Sequence, residues 1–479
     1  MTHVVDHAND AVETGTLSEQ AEHAALDGDL DAASLLADQA ILDGDKRGAE
    51  VAAAVLAQRG MLGDSVALYR WAESVDGSRS GFAVAALLGV GDLPHAQVQL
   101  AAFDEGVRTP TSLSTVESLV AHALSESVTG SPVAALSQLV QAAAVLEPHA
   151  GKVLLPDTPA ALACLVALNL GQLDMAESAV GDESMRHALL RAWISLQRGD
   201  LAAADVPTHC ARPRDELFAA AIQIGVARRR SDLAGLLDAW PRARDAVIAH
   251  PVDLFVLQPM GEIAVAAARL HEDEWLAPRL AEADELLTRL GRPALWSVPL
   301  HWFALQAAVA SESPSVAARH AGALSAMARS SRYAAALAGC AKAWLRVLAG
   351  DVQVDPVVAA ARELRAVGLG WDGARLAGQA AIRTADRNEM TTLLTCARAL
   401  HGTPHSADES PAPQLSAREI EVAELLVGGM TYKQIGERLF ISAKTVEHHV
   451  ARIRQRLGSA SRRELLVRLR ALVSGLPER

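Results

Sequence analysis

Residues 415–479 contain four short segments, and each opens with a signal for the start of a helix. In three of them a serine or threonine is followed three positions later by glutamate or glutamine, which is the pattern of a capping box. Four helices in so short a stretch, two of them only a few residues apart, predict a helix-turn-helix. Such a motif usually presents its second helix to the major groove of DNA. The starting residues are Ser416 with Glu419, Thr431 with Gln434, Ser442 without a reciprocal acid, and Ser461 with Glu464.

The distribution of charge separates this segment from the rest of the chain. The 479 residues include 44 lysines and arginines and 57 aspartates and glutamates, a formal net charge of −13. Residues 415–479 hold 12 of the basic and 7 of the acidic side chains, a net charge of +5, which leaves −18 on the preceding 414 residues. An acidic body with a basic end is typical of a nucleic-acid-binding module on a separate platform. The alternative interpretation of the positive charge at 415–479 is an ordinary solvated surface on a small domain.

Composition and cysteine usage limit the class of protein. Half of the residues are hydrophobic but only 4% are aromatic, which favours helices packed closely through small side chains and excludes an intrinsically disordered chain. The four cysteines lie far apart without the spacing of a zinc site, so we expect reduced, buried thiols. No signal peptide is visible, and no uncharged apolar run reaches the roughly 18–20 residues that cross a bilayer. We therefore expect a cytoplasmic protein without membrane contact.

Residues 1–400 are predicted to form a body that is helical throughout. A loose phrase recurs there: a turn residue, often followed by aspartate, then an apolar residue, and alanine five positions after the turn. The phrase predicts a helical hairpin, because glycine ends one helix in a left-handed cap, aspartate caps the next, and alanine permits a close approach. The copies are 28–33, 91–96, 130–135, 171–176 and 199–204, with degenerate copies near Gly60, Ser231 and Gly350.

The spacing of these hairpins predicts how they assemble. Hairpins at such intervals stack into a solenoid, in which each unit buries the apolar face of its neighbour. The pattern resembles tetratricopeptide repeats, although it lacks their regular Trp and Tyr positions, and the resemblance implies a superhelical body. The alternative is an irregular all-α bundle in which Gly-Asp turns recur because helices often end that way.

Several candidate sites in the body lack residues that their chemistry requires. Gly151-Lys152 is without the upstream glycine and the following Ser or Thr of a phosphate-binding loop. His3 and His7 are spaced as metal ligands on a helix but lack a third ligand. No nucleophile paired with a base is apparent. We therefore predict no enzyme activity, no bound metal and no cofactor.

Two further features of the body admit two interpretations each. The basic run 228–230 is expected to be a solvated helix end beside Asp232, and the alternative is a docking point for an acidic partner. The tryptophans are spread about a repeat or more apart, as core residues would be, and the alternative is a ligand cavity lined by some of them. They are Trp71, Trp193, Trp240, Trp275, Trp296, Trp302, Trp344 and Trp371.

Residues 401–414 differ in character from both neighbours. Three prolines with small and charged residues predict a linker that lets the terminal domain reorient relative to the body. The predicted organisation is therefore a helical-repeat region at 1–400, a linker at 401–414 and a DNA-binding domain at 415–479.

The terminal segment resembles the LuxR-type (GerE/NarL-like) helix-turn-helix domain. The resemblance rests on LSAREIEVAELLVGGMT at 415–431, on YKQIGERLFISAKTVEHHV at 432–450, and on Ile453, Leu457-Gly458 and 462–464 at that family's spacing. Helices are predicted at about 417–427, 432–439, 443–457 and 461–472, with Gly436 giving the second helix a close approach to the third. The predicted core residues are Ile420, Ala423, Leu426 and Val427, then Ile435 and Leu439, then Val446, Val450, Ile453 and Leu457.

The resemblance implies that the third of these helices is the recognition helix, with its early exposed side chains facing base edges. Glu447 would accept a hydrogen bond from a cytosine amino group, and Ala451 would touch a thymine methyl. His448 and Arg452 would donate to guanine or contact phosphate. The family often has Lys where this chain has Glu447. Phosphate contacts are expected at and beyond the helix starts; the candidates are Thr431, Lys433, Lys444, Thr445, His449 and Arg456.

The fourth predicted helix shows an apolar stripe broader than so small a domain should bury. Its dimerisation candidates are Leu465, Leu469 and Leu472. In the LuxR-type family this helix pairs two domains across two half-sites, so we expect a homodimer on double-stranded DNA. The favoured interpretation of the chain is a DNA-binding transcription regulator whose helical body senses a protein or small-molecule effector. The alternative is a helical-repeat scaffold or adaptor protein with weak or non-specific DNA contact.

Overall fold

The computed structural model describes residues 15–400 apart from 78, 108, 150 and 182–183, and residues 422–423, 425–428, 430–439, 443–456, 465 and 469 of the terminal segment. All regular secondary structure among these residues is helical, as predicted. The chain divides into two compact units, Met1–Gly402 and Thr403–Arg479. The predicted linker at 401–414 lies outside the described residues. Within the described part of the chain, every helix is too short or too polar to cross a membrane.

The helices of the body follow one another closely, and most of them pack against their neighbours in sequence. The first group is α1 (Leu17–Leu26), α2 (Leu30–Leu42), α3 (Lys46–Gln58), α4 (Leu62–Asp76), α5 (Gly81–Gly89), α6 (Leu93–Glu105), α7 (Ser112–Thr129), α8 (Pro132–Leu146), α9 (Pro159–Asn169), α10 (Leu173–Ala179) and α11 (Met185–Arg198). The second group is α12 (Pro213–Arg230), α13 (Leu233–Ala249), α14 (Leu257–Leu270), α15 (Asp273–Arg289), α16 (Ala294–Ala310), α17 (Pro314–Met327), α18 (Arg332–Leu348), α19 (Val354–Ala366), α20 (Gly370–Arg383) and α21 (Arg387–Leu400). Short 3-10 turns occupy Glu147–His149 and Leu254–Val256. Two helices of the terminal unit are α22 (Tyr432–Leu439) and α23 (Ala443–Arg456).

The recurring turn phrase forms helical hairpins in the way that its residues predict. Between α1 and α2, Gly28 has a φ of 91°, a left-handed conformation that glycine adopts without a steric cost. The Asp29 carboxylate then caps α2 by accepting from the Ala32 N–H at 3.0 Å. Ala33 is fully buried against the neighbouring helix, where its small side chain permits a close approach. The copies that begin at Gly91 and Gly171 also join two helices and also bury their alanines.

The copy at 199–204 was predicted to begin a helix, and this prediction is wrong. Gly199 ends α11 in a left-handed conformation, but residues 200–212 contain only turns and irregular backbone before α12 begins. Pro207 gives the physical reason. A proline lacks the N–H that a helix interior needs, and it disfavours helical backbone in the residue before it, so a helix starting at Leu201 would end within about two turns.

Five of the eight tryptophans are buried in the core, which confirms for them the prediction that the tryptophans are core residues. Trp193 and Trp344 are each 1% exposed and are among the largest fully buried side chains. Trp193 meets Phe218 edge to face, with ring centroids 5.6 Å apart. Trp240, Trp296 and Trp302 are also buried, whereas Trp275 and Trp371 are half-buried and Trp71 is exposed.

The basic run at the end of α12 was predicted to be solvated, and the structure shows the opposite for two of its three side chains. Arg228 donates to both Glu262 carboxylate oxygens, at 2.7 and 3.2 Å, and Arg229 donates to one of them at 2.9 Å. Both guanidinium groups also lie over the ring of Trp371. Because an isolated charge is strongly disfavoured in a core, the burial of these arginines depends on the Glu262 carboxylate from α14.

Candidate nucleic-acid interface

The start of α22 is set by a capping box, as the sequence predicts. The Thr431 N–H donates to Gln434 Oε1 at 2.9 Å, and the Gln434 N–H donates to Thr431 Oγ1 at 3.4 Å. Two backbone donors that the first turn would leave unpaired are thereby satisfied. The bounds of α22 match the predicted 432–439, and α23 starts at the predicted residue and packs against α22.

The orientation of α23 is fixed by one apolar stripe. Val446, Val450 and Ile453 are buried in the core of the terminal unit, which confirms the predicted spacing of four and three along the helix. From α22, Ile435 is buried in this core and Tyr432 packs against it, and Ala423 and Leu426 of the preceding helical residues also belong to it. The side chain of Leu439 lies outside the described part of the structure. Val427 is half-buried, while Ile420 and Leu457 lie outside the described residues.

The face of α23 opposite this stripe carries base-contact candidates. Glu447 and Ala451 are both exposed and lie four residues apart, one above the other on the helix surface. Neither α22 nor α23 has an acidic residue in its first turn. The first turns of these two helices therefore hold no carboxylate that would compete with a phosphate for the positive ends of the helix dipoles.

The remaining contact candidates are distributed over both helices. Thr431 and Lys433 are exposed at the start of α22, and His449 is half-buried on α23. The other candidates belong to α23 by their backbone, and their side chains lie outside the described part of the structure; they are Lys444, Thr445, His448, Arg452 and Arg456.

The comparisons with known proteins cover a small part of this chain. The model of the family described as bacterial regulatory proteins, luxR family, matches residues 413–469. The spore germination protein GerE of Bacillus subtilis is 47% identical over 57 residues, which are 12% of this chain and 77% of that protein. The chain belongs to the luxR family of bacterial regulatory proteins.

Other relatives of this luxR-family chain match over longer stretches. The oxygen regulatory protein NreC of Staphylococcus aureus is 38% identical over 93 residues, 18% of this chain and 43% of that protein. The transcriptional regulatory protein LiaR of Bacillus subtilis is 36% identical over 89 residues, 18% of this chain and 42% of that protein. The chain thus spans less than half of these two relatives. The matches support DNA-binding transcription regulation and point to a regulator rather than an enzyme.

Two of the three dimerisation candidates in the luxR-family domain need correction. Leu465 and Leu469 are 1% and 0% exposed, and both belong to the same core as Val446 and Ile453. A side chain enclosed in its own domain offers no surface to a second copy, so these leucines stabilise the domain. The width of the apolar stripe predicts leucines left outside the core, yet the core includes these two. Leu472 lies outside the described residues.

Removing the cap of α22 is expected to destabilise the luxR-family domain. Thr431→Ala deletes the acceptor of the Gln434 N–H, and we expect a loss of about 1 kcal/mol in its free energy of unfolding. Thr431→Ser keeps a hydroxyl at the cap and should retain most of that stability. Hydrogen exchange of the α22 amides measures both variants, and equal loss of protection in the two would contradict a capping role.

Proposed function

We propose that this protein is a transcription regulator that binds duplex DNA by placing α23 in the major groove. The observation that carries the proposal is the orientation of α23, whose buried stripe fixes Glu447 and Ala451 on the exposed face. A helix held from behind by its own core can present such a face to base edges. The luxR-family match over residues 413–469 supports the same assignment.

Different side chains would carry affinity and sequence preference. We assign base contacts to Glu447, His448, Ala451 and Arg452, because positions 447, 448, 451 and 452 recur at helical spacing around one face of α23. We assign phosphate contacts to Thr431 and Lys433 at the start of α22, where both side chains are exposed. The same role is proposed for Lys444, Thr445, His449 and Arg456 on α23.

The body is proposed to be a tetratricopeptide-like helical stack that receives a protein or small-molecule signal and controls the DNA-binding domain. Consecutive helices of the body pack as hairpins joined by short turns, which supports a repeat architecture. A homodimer on DNA remains part of the proposal, because two half-sites read by two copies are usual for helix-turn-helix proteins. Because Leu465 and Leu469 lie in the core of the domain, the contact between the two copies must use other residues on the surface.

Two substitutions on α23 separate general from specific DNA binding. Lys444→Ala should weaken binding to all duplexes and reduce the salt dependence by about one phosphate contact, because it removes a charge and no base contact. His448→Ala should instead relax preference at one base pair, at a cost of about 1–3 kcal/mol for the preferred base. Fluorescence anisotropy of the full-length protein, on duplexes selected from a random library, measures both effects.

The control for these substitutions is Lys342→Ala, which removes an exposed lysine of α18 in the body. It should leave DNA affinity unchanged. Normal DNA binding by both α23 variants would mean that another surface contacts DNA. Binding without any site preference in the parent protein would favour the second candidate function, a scaffold or adaptor with non-specific DNA contact.

A further inference from the structure

A cavity of about 520 Å³ lies in the first half of the body, between α8, α9, α11 and α12. Its volume is in the range of sites that enclose small organic molecules, which is about 300–1,000 Å³. The wall has two chemically different regions. One is apolar and comes from the end of α8 and the segment after it, including Val140, Leu146, Val153 and Leu155. The other is charged and comes from the helix starts.

Helices α9, α11 and α12 all begin at the charged wall. Their capping residues, Thr158, Ser184 and Arg212, each line the cavity. Thr158 and Ser184 cap their helices with side-chain oxygens, whereas α12 has no side-chain hydrogen bond at its cap. Because each helix start carries partial positive charge, their convergence favours an anionic group in this end of the cavity.

Arg186 provides a second and independent sign of a ligand. Its side chain is 95% buried yet belongs to the cavity wall, and among the residues that the structure describes Nε and Nη1 have no hydrogen-bond acceptor. Its ion pairs are long, 3.3 Å to Asp157 and 3.8 Å to Asp215, whereas charge-assisted hydrogen bonds are usually about 2.7–2.9 Å. A buried guanidinium with donors left over is unfavourable until an acceptor arrives.

The neighbouring groups hold Arg186 ready for such an acceptor. Its guanidinium lies 4.5 Å from the centre of the Phe218 ring, which supports the planar group from one side. Arg214 is instead held by Asp253, with its Nη2 donating at 2.8 Å, although its Nε also has no acceptor among the described residues. Burial raises the pKa of the Asp215 carboxyl, which reduces its competition with an incoming anion for Arg186.

The geometry points to a binding site for a small organic anion, with a carboxylate or phosphate group at Arg186 and the helix starts and an apolar body against the α8 wall. Among the lining residues that the structure describes, the charged side chains are three arginines, at positions 186, 212 and 214, and three acids, Glu147, Asp157 and Asp215. Two of these acids already pair with Arg186 or Arg214, so they orient the guanidinium groups as well as balance them. The site would be the effector site of the proposed regulator, and it rests on that function.

Calorimetric titration of the full-length protein, without DNA, tests this site with matched probes. Phenylacetate and phenyl phosphate share an apolar ring and differ in their anionic group, phenylacetamide is the neutral counterpart, and inorganic phosphate has no ring. We expect saturable millimolar or tighter binding of at least one aromatic anion, with weaker binding of the amide and of inorganic phosphate. The preferred anion identifies whether the natural group is a carboxylate or a phosphate.

Variants of the cavity wall make the test specific. Arg186→Gln should weaken binding of the aromatic anion by about tenfold or more, because a charge-assisted contact is lost. Ala144 is exposed on the wall, so Ala144→Asp and Ala144→Lys should both fold, the first weakening and the second strengthening anion binding. Arg198→Gln, at the far end of α11, is the matched control and should change nothing.

Three results would overturn the site. They are the absence of saturable binding for both aromatic anions, equal binding of phenylacetamide, and an affinity that is the same in Ala144→Asp and Ala144→Lys. Because the titration contains no DNA, its failure would leave the DNA-binding proposal standing. Loss of DNA binding in the α23 variants would likewise leave the titration unaffected.

Discussion

Glu262→Gln is expected to destabilise the body by about 3–5 kcal/mol, because it leaves two buried guanidinium groups without their anion. Glu262 is fully buried on α14 and accepts from both Arg228 and Arg229. The Asp372 carboxylate also acts on both arginines, but burial raises its pKa. Glutamine keeps the size of the side chain, so the expected loss comes from charge rather than from a cavity.

The same ion pair gives the stability a pH dependence. Burial alone would raise the pKa of the Glu262 carboxyl, but the attraction of Arg228 and Arg229 outweighs it and lowers the pKa from 4.5 to about 2. A carboxyl with a lowered folded-state pKa stabilises the fold above its unfolded pKa, and that stability is lost as the pH falls toward the folded value. The parent protein should therefore lose stability between about pH 5 and pH 2 more steeply than the variant does.

Urea unfolding followed by tryptophan fluorescence measures this change, since every tryptophan lies at or before Trp371. The control is Glu282→Gln, which removes an exposed ion pair with Arg279 one turn away on α15. A loss of less than about 1 kcal/mol is expected there, because solvent screens the pair. If the two variants were equally stable, Glu262 would not be the anion that permits burial of the arginines.

The parts of the fold that the sequence predicted are those set by neighbouring residues. Gly28 with Asp29, and Thr431 with Gln434, act within a few positions of each other, so their turn and cap could be inferred from spacing alone. The burial of Arg228 could not be inferred in this way, because its partner Glu262 is 34 positions away. The run of basic residues by itself indicates exposure. A downstream proline explains the failed copy at 199–204, and it was visible in the sequence.

In the candidate DNA interface, too, the features set by neighbouring residues could be predicted from the sequence, and those set by distant contacts could not. The stripe of Val446, Val450 and Ile453 was predictable because helical periodicity is local, and it determines which side of α23 is exposed. The burial of Leu465 and Leu469 depends on how the last helix packs against the others, which the apolar stripe alone does not determine. The cavity beside Arg186 was not predicted either, because helix starts separated by many residues converge there only in the folded body.

Ile453→Ala is expected to abolish DNA binding while leaving the body folded. Ile453 is fully buried in the core of the terminal unit, and truncating such a side chain costs about 2–5 kcal/mol. A domain of this size is rarely more stable than about 3–5 kcal/mol, so the loss removes most of its stability. Since the two units have separate cores, the unfolding of the body should not change.

Three measurements on the full-length variant separate local from global unfolding. Hydrogen exchange of the α23 amides should accelerate, DNA binding should disappear at every site, and the tryptophan-monitored transition of the body should coincide with that of the parent. Ile453→Val is the matched control, for which a cost of about 0.5–1.5 kcal/mol should weaken but not eliminate DNA binding. If Ile453→Ala bound its preferred duplex normally, the domain core would not be what holds α23 against DNA, and the recognition role of that helix would have to be abandoned.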